Sequence, residues 1–148
     1  MNNRIYDLYE KHKTGIYRYI LSITHDQFLS EDVLQDTFVQ LLKDGICFEP
    51  GKEQAWLYKV ARNKCFNIIK RQQRHTELHS PTISSLANDW EYVEMISSLT
   101  AIEQEIVTLK IIGDFSHKEI AKITGLSVPA TKKRYERAIQ KLRAEMEE

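Results

Sequence analysis

The 148-residue sequence predicts an all-α chain: two small helical domains joined by a short linker, the C-terminal one a helix-turn-helix. Three observations lead there. Apolar residues recur every three to four positions, the interval that lines up one face of a helix. Glycine and proline are scarce, 5 and 3 in the whole chain, which leaves little support for turn-rich extended structure. The one long stretch without a sustained period, residues 75–94, carries Ser80, Pro81, Ser84 and Ser85 and reads as the linker between residues 1–74 and 95–148.

The elements follow in order. Ile5, Leu8, Tyr9, Ile16, Tyr19, Ile20 and Ile23 mark a first helix. Ser30 is the expected N-cap of a second, with Glu31 and Asp32 in its first turn where negative charge suits the helix dipole. That helix should bury Leu34, Phe38 and Leu41 and stop at Gly45. Pro50-Gly51 marks a turn. A long helix from about Gln54 to Arg74 then buries Trp56, Leu57, Val60, Ala61, Cys65, Ile68 and Ile69. Past the linker, Thr100-x-x-Glu103 is a capping box for a helix closed by Gly113, and Ser116-x-x-Glu119 is a second box for a short helix closed by Gly125. The last helix has Pro129 in its first turn and buries Tyr135, Ala138 and Leu142.

Composition excludes several classes. With 42% hydrophobic and 28% charged residues the chain is neither disordered nor membrane-spanning, and no basic-then-apolar leader opens it, so a cytoplasmic protein is expected. Cys47 and Cys65 form no CxxC or Cys/His pattern, so they read as small buried hydrophobes rather than disulfide or zinc ligands. His75 and His79 have helical spacing but no third ligand, and no metal or other cofactor is expected. An enzyme is not expected either, because no nucleophile, metal-spaced cluster or Gly-rich phosphate loop accompanies the acidic residues.

Charge is informative only when resolved along the chain. Lys and Arg total 21, as do Asp and Glu, a balance that by itself argues against a nucleic-acid partner. Yet residues 59–74 hold Lys59, Arg62, Lys64, Lys70, Arg71 and Arg74 with no acid, and residues 127–143 hold Lys132, Lys133, Arg134, Arg137, Lys141 and Arg143 against Glu136 alone. The compensating acid lies mainly in residues 24–53 and 75–106. Two basic helices set among acidic segments are a different object from a uniformly neutral surface.

Three surfaces follow. His117 to Arg143 has helix-turn-helix spacing, with Ala121 small enough for a close helix crossing; the second helix would enter the major groove and present Ala130, Lys132, Lys133, Arg134 and Arg137 to bases or phosphates. On the long helix, Lys59, Arg62, Asn63, Phe66, Asn67, Lys70 and Arg74 form a stripe opposite the Trp56/Val60/Ile68 face. Cations there can track a backbone, amides can read base edges and an aromatic can stack on an exposed base, a mix suited to single-stranded or opened DNA. The acidic helix turns Asp32, Gln35, Asp36 and Gln40 outward and reads as a protein-docking face.

These residues resemble a known family. Ser30-Glu31-Asp32-Val33-Leu34-Gln35-Asp36-Thr37-Phe38, Trp56-Leu57-Tyr58-Lys59-Val60-Ala61-Arg62-Asn63, and Ser116-His117-Lys118-Glu119-Ile120-Ala121 followed by Arg134-x-x-Arg137-Ala138-x-x-Lys141-Leu142 are similar, in order and spacing, to the sigma-70 family and most of all to its extracytoplasmic-function (ECF) group. The resemblance spans roughly residues 4–144. It implies an RNA polymerase sigma factor that lends core polymerase its promoter recognition and assists opening. Asp32, Gln35, Asp36 and Phe38 match the segment that docks on a coiled coil of the polymerase. Asn63, Asn67, Lys70 and Arg71 match the region that captures the non-template strand of the minus-10 element, with a base flipped from the stack. The helix-turn-helix matches the reader of the minus-35 element, and an anti-sigma partner is common in the group. Asn67 stands where many members carry Asp, Ala130-Thr131 where the recognition helix usually begins Thr-Val, and Lys133 where Ser is common; these departures bear on which promoter is read. The rival reading is a polymerase-independent helix-turn-helix regulator using residues 1–74 for dimerisation or sensing, a reading that gives the acidic face and the amide-bearing stripe no role.

Overall fold

The structure, a computed structural model, describes residues 3–45, 48–75 and 87–147. Among them are seven helices: α1 (Asn3–Thr24), α2 (Gln27–Asp44), α3 (Glu53–His75), α4 (Ala87–Met95), α5 (Ala101–Ile111), α6 (His117–Thr124) and α7 (Val128–Met146). They fall into two compact units, Met1–Ile83 and Ser84–Glu148.

The first unit is a bundle of α1, α2 and α3. Residues His25 and Asp26 alone separate α1 from α2, with His25 in the left-handed region at φ 54°, so the two helices must run as antiparallel neighbours. The expected cap is displaced by one turn. Asp26, not Ser30, caps α2, its carboxylate accepting the Leu29 N–H at 3.1 Å. Ser30 is fully buried inside the helix, its hydroxyl 2.7 Å from that of Thr24, where a small residue lets α2 close on α1. Glu31 and Asp32 therefore lie beyond the first turn and owe little to the helix dipole. Gly45 ends the helix as expected, at φ 69° with its N–H on the Leu41 carbonyl.

The buried faces are also rotated from expectation. On α2 the core stripe is Ser30, Val33, Thr37, Phe38 and Leu41, with Leu34 only half-buried. On α3 it is Leu57, Tyr58, Ala61 and Cys65; Trp56, Val60, Ile68 and Ile69 are half-buried. Trp56 is covered instead by Phe48, their ring centroids 5.5 Å apart. Tyr58 sits 5.4 Å from the Tyr19 ring, and burial pushes its phenol up to about 12 against a hydrogen bond with Gln54 that lowers it. Tyr9 meets Phe38 edge to face at 4.9 Å. Of these rings Tyr19, Tyr58 and Phe38 are buried, and a fully buried side chain of this size contributes on the order of 1.5–3 kcal/mol by leaving water.

In the second unit, residues 87–94, read from sequence as the end of the linker, are helical. Val93 is buried, and Tyr92 packs on the Ile96/Leu99/Val107/Ala138 cluster while its hydroxyl meets that of Thr108 at 2.8 Å. The rest of the expected linker, residues 76–86 with His79, Ser80, Pro81, Ser84 and Ser85, lies outside the described residues, as do Cys47 and the side chains of Arg74 and His75. Helix α5 is buried from Glu103 through Leu109, so it is the centre of the unit rather than an amphipathic cover. Both capping boxes form as read. At the end of α5, however, Gly113 is needed for space: a Cβ there would come within 2.6 Å of the Phe115 ring and 2.7 Å of the Leu109 carbonyl, while Asp114 takes the positive φ of 56°. Gly125, at φ 81°, makes the turn between α6 and α7. Tyr135 and Leu142 pack partly buried beside fully buried Ala138.

His12 carries a pH dependence. It is buried in the first unit, and desolvation, reinforced by Lys11 and opposed by Glu53, lowers its pKa from the ordinary 6.5. The unfolded chain then binds the proton more readily than the folded one, so this contribution is complete above 6.5 and declines as pH falls below it. Urea unfolding at pH about 7.5 and about 5 should show the first unit weaker at the lower pH, with the difference reduced in His12→Gln.

Candidate nucleic-acid and docking surfaces

Helix α3 has one side to spend on function because the other is committed to α1 and α2. With Leu57, Ala61 and Cys65 inward, a step of about 100° per residue puts Lys59, Asn63, Phe66 and Lys70 directly opposite, flanked by Arg62 and Asn67. Lys59, Asn63, Asn67, Lys70 and Arg71 are exposed, and Arg62 is half-buried. Phe66 is 39% exposed despite its apolar ring. The Arg62 guanidinium lies over that ring, 4.6 Å from its centroid, which holds the ring in place by a cation–π contact. The stripe thus presents amides, cations and one aromatic face together, opposite the Leu57/Ala61/Cys65 side rather than the Trp56/Val60/Ile68 side anticipated.

Helix α7 separates its own residues in the same way. Its core side is Thr131, Tyr135, Ala138 and Leu142. Ala130, Lys133, Arg134 and Arg137 share another face, with Ala130 half-buried and the three cations exposed. Ser127 caps the helix by accepting the Ala130 N–H at 3.2 Å. Thr131 is fully buried, its hydroxyl donating to the Ser127 carbonyl at 2.9 Å, so it belongs to the cap and core and not to the exposed face. Lys132 is exposed but lies off the face, on the flank beside His117 of α6. There burial, together with Lys110 and Lys132 and opposed by Glu136, lowers the His117 pKa. His117 meets the Tyr135 ring at 5.4 Å, fastening α6 to α7. Glu136 thus sits on the His117 flank too. Lys141, counted among the basic residues of this segment, is engaged: its Nζ donates to Glu103 Oε1 at 2.8 Å and Oε2 at 3.1 Å.

Helix α2 supplies the third surface. Asp32, Gln35 and Asp36 are exposed, as expected. Phe38 is not: it is buried against Tyr9, so its side chain belongs to the core rather than to the exposed face. The apolar part of this face comes from residues the sequence reading passed over, Phe28 at 65%, Val39 at 42% and Leu42 at 62% exposure. Their spacing with Asp32 and Gln35 alternates four and three residues, a second helical stripe opposite the core that could have been found by continuing the period past Ser30. The face is therefore acidic and apolar at once, with Glu31 and Asp36 on its flanks.

Among the described residues no group of three or more His, Cys, Asp or Glu is placed to hold a metal ion, and no helix is long and apolar enough to cross a membrane.

Comparison with known proteins matches the same two halves. Residues 8–75 match the family model of sigma-70 region 2, and residues 90–142 match that of sigma-70 region 4. The chain is 28% identical to the ECF RNA polymerase sigma factor SigM of Bacillus subtilis, over 93% of this chain and 92% of that one. It is 27% identical to the RNA polymerase sigma factor CarQ of Myxococcus xanthus, over 93% and 86% respectively. Among solved structures, the sigma factor RpoE of Bartonella quintana, bound to the anti-sigma factor NepR, superposes with a TM-score of 0.74 at 22% identity, covering 95% of this chain and 97% of that chain. CnrH in complex with the cytosolic domain of CnrY superposes at 0.72 with 26% identity, covering 99% and 90%.

The exposed Phe66 ring makes a direct prediction. Phe66→Ala should weaken binding of a single-stranded oligonucleotide by about 1–3 kcal/mol, as expected for loss of one stacked base, while Phe66→Tyr should retain it. Fluorescence anisotropy with a labelled strand measures both.

Proposed function

The chain belongs to the sigma-70 family of RNA polymerase sigma factors, in its ECF group, and on that premise we propose how its three exposed faces divide the work. The chain directs core polymerase to promoters and assists their opening. It does so as a binding protein: it contributes contacts, and the nucleotide chemistry is the polymerase's. It acts in the cytoplasm, where polymerase and chromosome are. An anti-sigma partner, of the kind bound by the Bartonella protein, is part of this reading.

In this proposal α7 reads the minus-35 element with Lys133, Arg134 and Arg137, and Ala130 leaves room for close approach to base edges. Lys132 serves the flanking backbone. The stripe of Lys59, Arg62, Asn63, Phe66, Asn67, Lys70 and Arg71 takes the non-template strand of the minus-10 element. Cations follow the phosphates, Asn63 and Asn67 address base edges, and Phe66, backed by Arg62, offers one ring face to an unpaired base. The α2 face docks on core polymerase through Asp32, Gln35 and Asp36 together with Phe28, Val39 and Leu42. Residues 1–74 and 95–148 are thus assigned to the minus-10 and minus-35 halves, tethered by the intervening segment.

The observation that carries this reading is the α2 face. Exposed Phe28, Val39 and Leu42 beside Asp32 and Asp36 form a partner-binding face; pairing two copies of it in a dimer of this chain would bring like acidic charges together, whereas a different partner of complementary charge would meet both its apolar and its acidic residues. Each DNA surface is modest, and both engage one promoter only when polymerase holds them, which makes the second contact effectively intramolecular. If about eight phosphates are neutralised, log affinity for duplex DNA falls with log salt at a slope of roughly −7, so the free chain binds poorly at physiological salt.

Transcription by core polymerase plus this chain from a pool of genomic fragments should initiate at a common promoter motif; absence of initiation anywhere in the pool would refute a working sigma factor. In a binding assay with core polymerase, the Asp32→Lys/Asp36→Lys pair and, separately, Leu42→Ser should each weaken association by about tenfold or more. Phe38→Ala should act differently, costing the fold about 3–5 kcal/mol in unfolding experiments.

A further inference from the structure

The pair Glu103–Lys141 joins residues 38 positions apart in the second unit. Glu103 is the third residue of α5 and completes its capping box: Oε1 accepts the Thr100 N–H at 2.9 Å, and the Glu103 N–H donates to the Thr100 hydroxyl. The same carboxylate takes both Lys141 contacts. Its side chain is 6% exposed, that of Lys141 48%. Burial alone would raise the Glu103 pKa, yet Lys141 and Thr100 together bring it below the ordinary value, so the carboxylate is held as an anion.

Lys141 lies seven residues after Arg134 and four after Arg137, which places it on the same side of α7 as those two and Ala130. Left alone it would extend the cationic stripe by one helical turn. The ion pair ends that stripe at Arg137. It also supplies a directional link where the adjoining contacts are apolar: Val107 of α5 against Ala138 and Leu142 of α7 are held by packing that does not by itself dictate rotation about the helix axis. Base reading requires side chains held within about 0.5 Å and 10–20° of productive geometry.

We propose that Glu103 is a positioning residue for minus-35 reading: by pairing with Lys141 it sets the rotation of α7 on α5 and withholds Lys141 from DNA, so that it favours sequence discrimination over affinity. This rests on the assignment of α7 to the minus-35 element. Removing the charge should then produce two effects of opposite sense, weaker discrimination and stronger non-specific binding.

Glu103→Gln isolates the pair, because Gln also serves in a capping box and keeps an acceptor for the Thr100 N–H. The test uses the full chain, with and without core polymerase, on the strongest promoter recovered from genomic fragments and on a copy with a scrambled minus-35 segment. For Glu103→Gln the preference of the holoenzyme for the intact segment should fall about tenfold, the counterpart of roughly 1.4 kcal/mol. The salt slope for duplex binding by the free chain should steepen by about 0.9, the signature of one released cation. Lys141→Arg should keep the wild-type preference, since guanidinium can pair with the same carboxylate. Simple damage to the fold would lower specific and non-specific binding together and leave no steeper slope, and that result overturns the proposal. So does a Glu103→Gln protein with wild-type preference and slope, which would leave the minus-35 assignment standing. A wild-type holoenzyme indifferent to the minus-35 segment overturns both.

Discussion

A helix in a small bundle can bury only one stripe of its surface, and everything functional in this chain depends on which stripe that is. Val33, Thr37 and Leu41 turn α2 inward, Leu57, Ala61 and Cys65 turn α3 inward, and Thr131 and Ala138 do the same for α7. The opposite faces are then determined by the helical period, since about 100° per residue leaves no freedom once the core is chosen. The acidic and apolar docking face, the amide and aromatic stripe and the cationic reading face are all consequences of that one commitment. Small buried residues make it possible: Ser30 lets α2 meet α1, and Ala138 lets α7 pack onto Val107 of α5.

The charge balance takes on a physical meaning in these terms. Equal numbers of acids and bases would leave a protein with no field to offer DNA if they were mixed evenly. Here clusters of bases lie on the outer faces of α3 and α7, while part of the acid is removed from the surface altogether. Asp89, Glu103 and Glu105 are buried. Of these, Glu103 holds Lys141, while Glu91 and Glu94 stay exposed on α4. The exposed acid that remains on α2 lies beside apolar side chains, where it can select a basic partner.

Much of this was legible in residue order. Capping boxes at Thr100 and Ser116 depend on contacts three residues apart, so they formed as read, and Gly45 and Gly125 ended their helices because a left-handed turn is a local demand. The existence of every described helix but α4 was likewise a local fact of spacing, as was the α3 stripe, whereas Lys132 fell off the α7 face. What failed did so for non-local reasons. Ser30 has every local qualification of an N-cap, but Asp26 one turn earlier caps first and Ser30 is needed against Thr24. Asp89, Tyr92 and Val93 look aperiodic with serines upstream, yet burial in the second unit makes them part of a helix.

The sequence by itself determined the all-helical class, the order of every described helix but α4, the helix-turn-helix and the location of the basic segments, because helical periodicity and capping act over one to two turns. Only the tertiary structure decided which of those residues are free to act. It placed Phe38 in the core and Phe28, Val39 and Leu42 at the surface, and it turned Lys132 aside toward His117. It engaged Lys141 with a carboxylate far away in sequence. Each of these depends on what a neighbouring helix presents at the point of contact, and that is a property of packing rather than of any local run of residues.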